Sequence, residues 1–216
     1  MGGYISSKYA LRYPNQVKQL ILWSPLGVQR RPESVKNYYK KKLNILGNNW
    51  ICKPLACFIN YPIYKVYQAY VKTHCNHING LRACGRFMKI VTKTSLKKFL
   101  GPLDKKEVKV AAEYYHQINM AGESSENAIT YFMDYHVIPY KPILDDMDTF
   151  KEYGIDVSFA YGDDDWLDTE FEGTKISQEL KDLGYKVDII TGSKHNLHMY
   201  NYQDLVLRLN QRLDTY

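Results

Sequence analysis

No stretch of the 216 residues reaches the roughly eighteen successive apolar side chains that a bilayer-spanning helix needs, so no transmembrane helix is expected. The opening MGGYISSKYALRYP lacks a continuous apolar core, which argues against a secretory signal. Cysteine is scarce as well. The four that occur (Cys52, Cys57, Cys75 and Cys84) lie in one third of the chain. Without a secretory context they are expected to be idle or buried thiols and not disulfides. The run His74-Cys75-Asn76-His77 fits neither a C-x-x-C nor an H-x-x-x-H spacing, so neither a metal nor another cofactor is expected. Signatures of RRM, KH or helix-turn-helix modules are also missing, and nucleic acid is not an expected partner. Internal repeats and low-complexity tracts are absent.

Acidic residues are missing in one place above all. Residues 30–109 hold eighteen Lys or Arg against three Asp or Glu, while the rest of the chain is net acidic. Segregated positive charge suits a surface that meets anions, such as phospholipid headgroups, and the plain alternative is a solvated lysine-rich face. Hydrophobic residues make up 45% of the chain, enough for a globular core. The length allows one sizeable domain, or a core carrying an insertion. MGGYIS also fits the myristoylation pattern M-G-x-x-x-[ST], but the reading given below explains these residues better.

The pattern along the chain changes twice. Residues 3–13 predict a helix with Ile5, Tyr9 and Ala10 on one side, stopped by Pro14. VKQLILW (17–23) is dense in β-formers and nearly all apolar, as suits a parallel strand covered on both faces. From about 29 to 148 the periodicity turns helical and tyrosine-rich. Helices are expected over 33–46, 62–73, 93–100, 104–119 and 124–134. Alternation then returns: a strand at 157–161, a helix at 170–183, a strand at 186–191 and a last helix at 202–213. The expected architecture is α/β, with core residues 1–28 and 149–216 interrupted by an all-helical cap at 29–148.

Two loops carry groups able to do chemistry. Gly162-Asp163-Asp164-Asp165-Trp166-Leu167-Asp168 follows one strand, and Gly192-Ser193-Lys194-His195-Asn196-Leu197-His198 follows another. Function in α/β sheets collects at such C-terminal strand ends. A carboxylate that orients an imidazole makes that ring a general base. Acidic loops and histidine-bearing turns are common, however, so the pattern alone is weak.

Family resemblance sharpens it. MGGYISSKYALRYPNQVKQLILWSPLGV resembles the stretch that follows the G-x-S-x-G nucleophile elbow of α/β-hydrolases, with Met1-Gly2 matching the last two motif positions. YGDDDWLD resembles their acid loop, and SKHNLHMYNYQDL their histidine loop. GESSENAITYFMDYHVIPYKPILDDM resembles the return from cap to core in one lipid-acting subfamily. Its members are N-acyl-phospholipid lipases, cardiolipin deacylases and lipase-activating, lysophosphatidic-acid-acyltransferase-like proteins. The fold implied is the C-terminal part of an α/β-hydrolase sheet, three parallel strands with flanking helices and an inserted helical cap.

The resemblance makes His195 the base and Asp165 its acid, with Asp168 as the rival acid and Met1 as an oxyanion-binding position. His198 is read as a packing or surface group, and Asp163, Asp164 and the losing acid as a solvated acidic turn. The serine would directly precede Met1, and neither Ser6, Ser7 nor Ser24 can replace it. A chain without it reads as a fragment of a serine hydrolase on acyl esters of lipids, or as a non-catalytic relative that binds lipid surfaces or regulates another lipase. Tyr200 stands where an acyltransferase-like H-x-x-x-x-D would end, which favours hydrolysis over acyl transfer. The expected partners are an acyl-lipid substrate and an anionic membrane or lipid-droplet surface met by the basic cap. The expected location is intracellular, cytoplasmic or peripheral on such a surface.

Overall fold

The computed structural model describes residues 1–31, 103–121, 128–134, 138–168, 170–171 and 173–213. The helices expected at 33–46, 62–73 and 93–100, the four cysteines and the run 74–77 lie outside these residues.

Three strands, β1 (Gln19–Trp23), β2 (Asp156–Gly162) and β5 (Lys186–Ile190), form one parallel sheet in the order β1-β2-β5. β2 is central and buried almost throughout, as suits a parallel strand with neighbours on both sides. Alternation divides its side chains between two layers. Val157, Phe159 and Tyr161 enter the larger core, where they meet Tyr4 and Ala10 of helix α1 (Gly2–Arg12). Met147 and Phe150 of α4 (Met147–Glu152) and Ile176 and Leu180 of α5 (Ile176–Asp182) complete that layer. On the opposite face Ala160 joins Ile190, Leu197 of α6 (Leu197–Tyr200) and Leu205 of α7 (Tyr202–Leu213). Each fully buried ring or branched side chain contributes roughly 1.5–3 kcal/mol. The sheet is therefore covered on both sides.

Between β1 and β2 the described residues include α2 (Lys105–Met120) and α3 (Ile129–Phe132). Asp104 starts α2 with a capping box: its carboxylate accepts from the Lys106 and Glu107 N–H groups, and Glu107 reaches back to the Asp104 N–H. The chain leaves the core and returns to it side by side. Ile143 N–H donates to the Gly27 carbonyl at 2.9 Å, and Leu144 N–H to Val28 at 3.1 Å. Tyr4 hydroxyl donates to the Lys141 carbonyl, and Lys8 pairs with Asp146, tying α1 to this return. No helix among the described residues is long and apolar enough to cross a membrane.

Two expectations need correction. The buried side of α1 is Tyr4, Ser7 and Ala10, while Ile5 and Tyr9 are about half exposed. Ser7 can be buried because its hydroxyl donates to the Gly3 carbonyl. Residues 170–183 are not one helix. Glu170–Phe171 pairs antiparallel with Thr174–Lys175 (β3 and β4), and the helix begins only at Ile176. The intervening Gly173 has φ +94°, a conformation that ends any helix there.

Candidate active site at the strand ends

Because the three strands run parallel, Ser24, Gly162 and Ile190 end at the same edge of the sheet. The loops after β2 and β5 then meet over it. Asp163 stitches them together, its carboxylate accepting from the N–H groups of Gly192 at 2.8 Å and Ser193 at 3.0 Å. Asp164 N–H donates to the Ser193 carbonyl at 3.1 Å. The approach is so close that a Cβ on Gly162 would lie 2.3 Å from the Ser193 carbonyl oxygen and 2.6 Å from that of Lys194. Only glycine fits there.

This seam sets His195 against Asp165. His195 Nδ1 stands 3.2 Å from Asp165 Oδ1, with the Asp165 side chain fully buried and the imidazole about one-third exposed. The same Oδ1 accepts from the Leu167 N–H at 3.0 Å, which fixes the carboxylate from its own loop. Oδ2 is buried with no protein hydrogen-bond partner among the described residues. A buried carboxylate needs hydrogen-bonding partners, and here the Leu167 N–H and the imidazole of His195 stand beside it. A neutral ring that donates from Nδ1 keeps Nε2 as an acceptor, the state a general base requires.

Asp168 has a different task. Its Oδ1 accepts from the Ser177 N–H and its Oδ2 from the Ser177 hydroxyl, both at 2.7 Å, and both residues are buried. It thereby satisfies the first turn of α5 from outside the helix, as a cap would. Asp165, not Asp168, makes the contact with His195. Asp163, read from sequence as part of a solvated acidic turn, is the loop stitch described above. Asp164 stays exposed and pairs with Lys194 at 3.5 Å, and His198 lies exposed on α6.

Tyr161 lies beneath the acid loop. Its hydroxyl is buried without a partner among the described residues, and burial, then the charges of Asp168 and Asp165, hold its ionisation well above the usual tyrosine range. Met1 heads α1. A Cβ on Gly3 would lie 3.0 Å from Pro25 Cβ, so the helix start abuts the turn after β1 at this same edge. Burial lowers the Met1 ammonium below its ordinary value. In that turn Ser24 takes a positive φ of 42°, its hydroxyl buried. Among the described residues no cluster of three or more His, Cys, Asp or Glu could hold a metal.

Sequence reasoning missed Trp166 as part of the site. Its ring centroid is 5.3 Å from that of His195, tilted by 55°. The sequence offered it only as a letter of the YGDDDWLD acid-loop resemblance, beside Asp165.

A parallel sheet covered by helices on both faces, with an acid loop and a histidine loop at adjacent strand ends, defines the α/β-hydrolase fold, and the chain has that fold. A laboratory-evolved variant of potato epoxide hydrolase StEH1 superposes with a TM-score of 0.50 at 13% identity, over the whole chain and 67% of its own. No family model matches. Among curated proteins, the human (lyso)-N-acylphosphatidylethanolamine lipase is 24% identical over 205 residues, 92% of this chain and 52% of its own length. The pig 1-acylglycerol-3-phosphate O-acyltransferase ABHD5 is 26% identical over 226 residues, covering all of this chain and 56% of its own length. The chain thus spans about half the length of the curated relatives it matches.

Proposed function

We propose that this chain supplies the acid, the base and the cap of a serine hydrolase acting on acyl esters of lipids. The observation that carries the reading is the buried Asp165 carboxylate 3.2 Å from His195 Nδ1. Asp165 holds the ring in the tautomer whose Nε2 takes the proton of a serine as it attacks the ester carbonyl. His195 then gives that proton to the departing alcohol, leaving an acyl-serine; water that passes a proton to the same base attacks the acyl carbonyl, and the proton goes to the serine oxygen as the carboxylic acid departs. The reading needs a serine directly before Met1, whose backbone N–H would then serve as one oxyanion donor. The names of the relatives support lipid substrates.

The basic block at 30–109 supports a second element, contact of the cap (29–148) with an anionic membrane or lipid-droplet surface inside the cell. Each Lys or Arg close to such a surface contributes about 1 kcal/mol.

The test is labelling by a serine-directed fluorophosphonate of the polypeptide extended upstream through its own reading frame. Labelling that is lost in His195→Ala and strongly reduced in Asp165→Asn supports the triad. A folded, extended polypeptide that carries the serine and fails to label contradicts the hydrolase reading and favours a non-catalytic lipid-binding or lipase-regulating role.

A further inference from the structure

We propose that Trp166 is the positioning residue of His195, its indole setting the plane of an imidazole that the Asp165 contact alone leaves able to swivel. The inference rests on the reading of His195 as the base. A single N–H···O contact fixes one ring atom and a direction, and it leaves rotation about that axis unconstrained. Among the described residues His195 has one such contact, at 3.2 Å. The second constraint is the Trp166 ring at 5.3 Å between centroids, within the range where aromatic rings attract.

Trp166 can act as a wall because its own backbone is held on both sides. Leu167 N–H donates to Asp165 Oδ1 at 3.0 Å, and Asp168 N–H donates to the Asp165 carbonyl at 3.1 Å. Asp168 is in turn clamped by Ser177. The acid and the wall therefore belong to one pinned turn, and the distance between them is set within a single loop. At 43% exposed, the indole is not a core side chain, so its removal leaves the fold standing. Among the described residues the charged group in contact with the imidazole is Asp165, and the two loops also carry the Lys194–Asp164 pair.

The test has two arms. The first uses this chain and needs no nucleophile. Tryptophan emission is followed against pH in the wild type, Trp166→Phe and His195→Gln. A pH-dependent change seen in the wild type and absent from both variants supports the contact. A change that persists in either variant overturns it.

The second arm uses the upstream-extended polypeptide. Trp166→Ala is expected to lower the limiting fluorophosphonate labelling rate about tenfold while the half-saturating probe concentration stays the same. Trp166→Phe, which keeps a ring against the imidazole, is expected to restore the rate to within about twofold. Equal rates in all three proteins, or an equal loss in both variants, overturn the positioning role. The arms separate the two ideas. Intact coupling in the first with no labelling of any protein in the second removes the hydrolase reading and leaves the ring contact standing.

Discussion

Replacing Gly162 by alanine adds one methyl group, and the structure sets its cost. The new Cβ would meet the Ser193 carbonyl oxygen at 2.3 Å and that of Lys194 at 2.6 Å, where ordinary contact begins at 3.4 Å. Both are backbone atoms, so no side chain can turn aside. The histidine loop must instead retreat by about 1 Å, a distance set by ordinary van der Waals contact. That movement strains the Asp163 bonds to Gly192 and Ser193 and the Asp164 bond to Ser193. It also carries His195 away from Asp165. Overpacking of this kind costs about 1–3 kcal/mol, or roughly 3–10 °C in Tm for a domain of this size. A displacement of about 1 Å at a catalytic group costs on the order of a hundredfold in rate. Thermal denaturation and fluorophosphonate labelling of the extended polypeptide read the two effects. A Gly162→Ala protein that melts and labels like the wild type would refute the seam as the device that assembles the site.

Two further predictions concern Asp168 and the phenols of Tyr161 and Tyr185. Asp168→Ala strips both acceptors from Ser177 and leaves a buried N–H unpaired, so stability in urea should fall by about 1–3 kcal/mol. A loss of labelling beyond that expected from unfolding would instead make Asp168 the acid. Burial and Asp148 push the Tyr185 phenol up to about 12, and Tyr161 is also raised well above its ordinary value. Between the unfolded value near 10 and these folded values, the native state keeps protons that the unfolded chain has released. Stability present below pH ~10 is therefore lost as pH rises through this window. Alkaline unfolding should shift to higher pH in Tyr185→Phe, and phenolate absorbance should show Tyr161 and Tyr185 ionising later than exposed tyrosines. A smooth titration of all twenty tyrosines in the native state would contradict the assignment.

The sheet was legible in the sequence because its strands are short, dense in β-formers and bounded by turn residues, as in LILW before Ser24-Pro25 and DVSFAYG before the acid loop. The position of Asp165 and His195 at adjacent strand ends was legible for the same reason, helped by the resemblance. The preference for Asp165 over Asp168 rested on the resemblance alone, because the task of Asp168 turns on Ser177, nine residues further on and held in place by tertiary structure. The buried side of α1 was misread because both flanks of that helix are apolar, and burial of Ser7 depends on a hydroxyl bond inside the helix. The β3–β4 hairpin hid inside a helix-like composition that Gly173 overrides. The closeness of Gly162 to Ser193 and of Trp166 to His195 joins loops about thirty residues apart, and local pattern carries no trace of either.

The proton between the buried carboxylate and the imidazole can be observed directly by nuclear magnetic resonance of the ring N–H groups. One solvent-protected imidazole proton is expected far downfield, lost in Asp165→Asn and retained in Asp168→Asn. A spectrum that Asp165→Asn leaves unchanged, or that Asp168→Asn alone abolishes, would contradict the pairing on which the proposed chemistry stands.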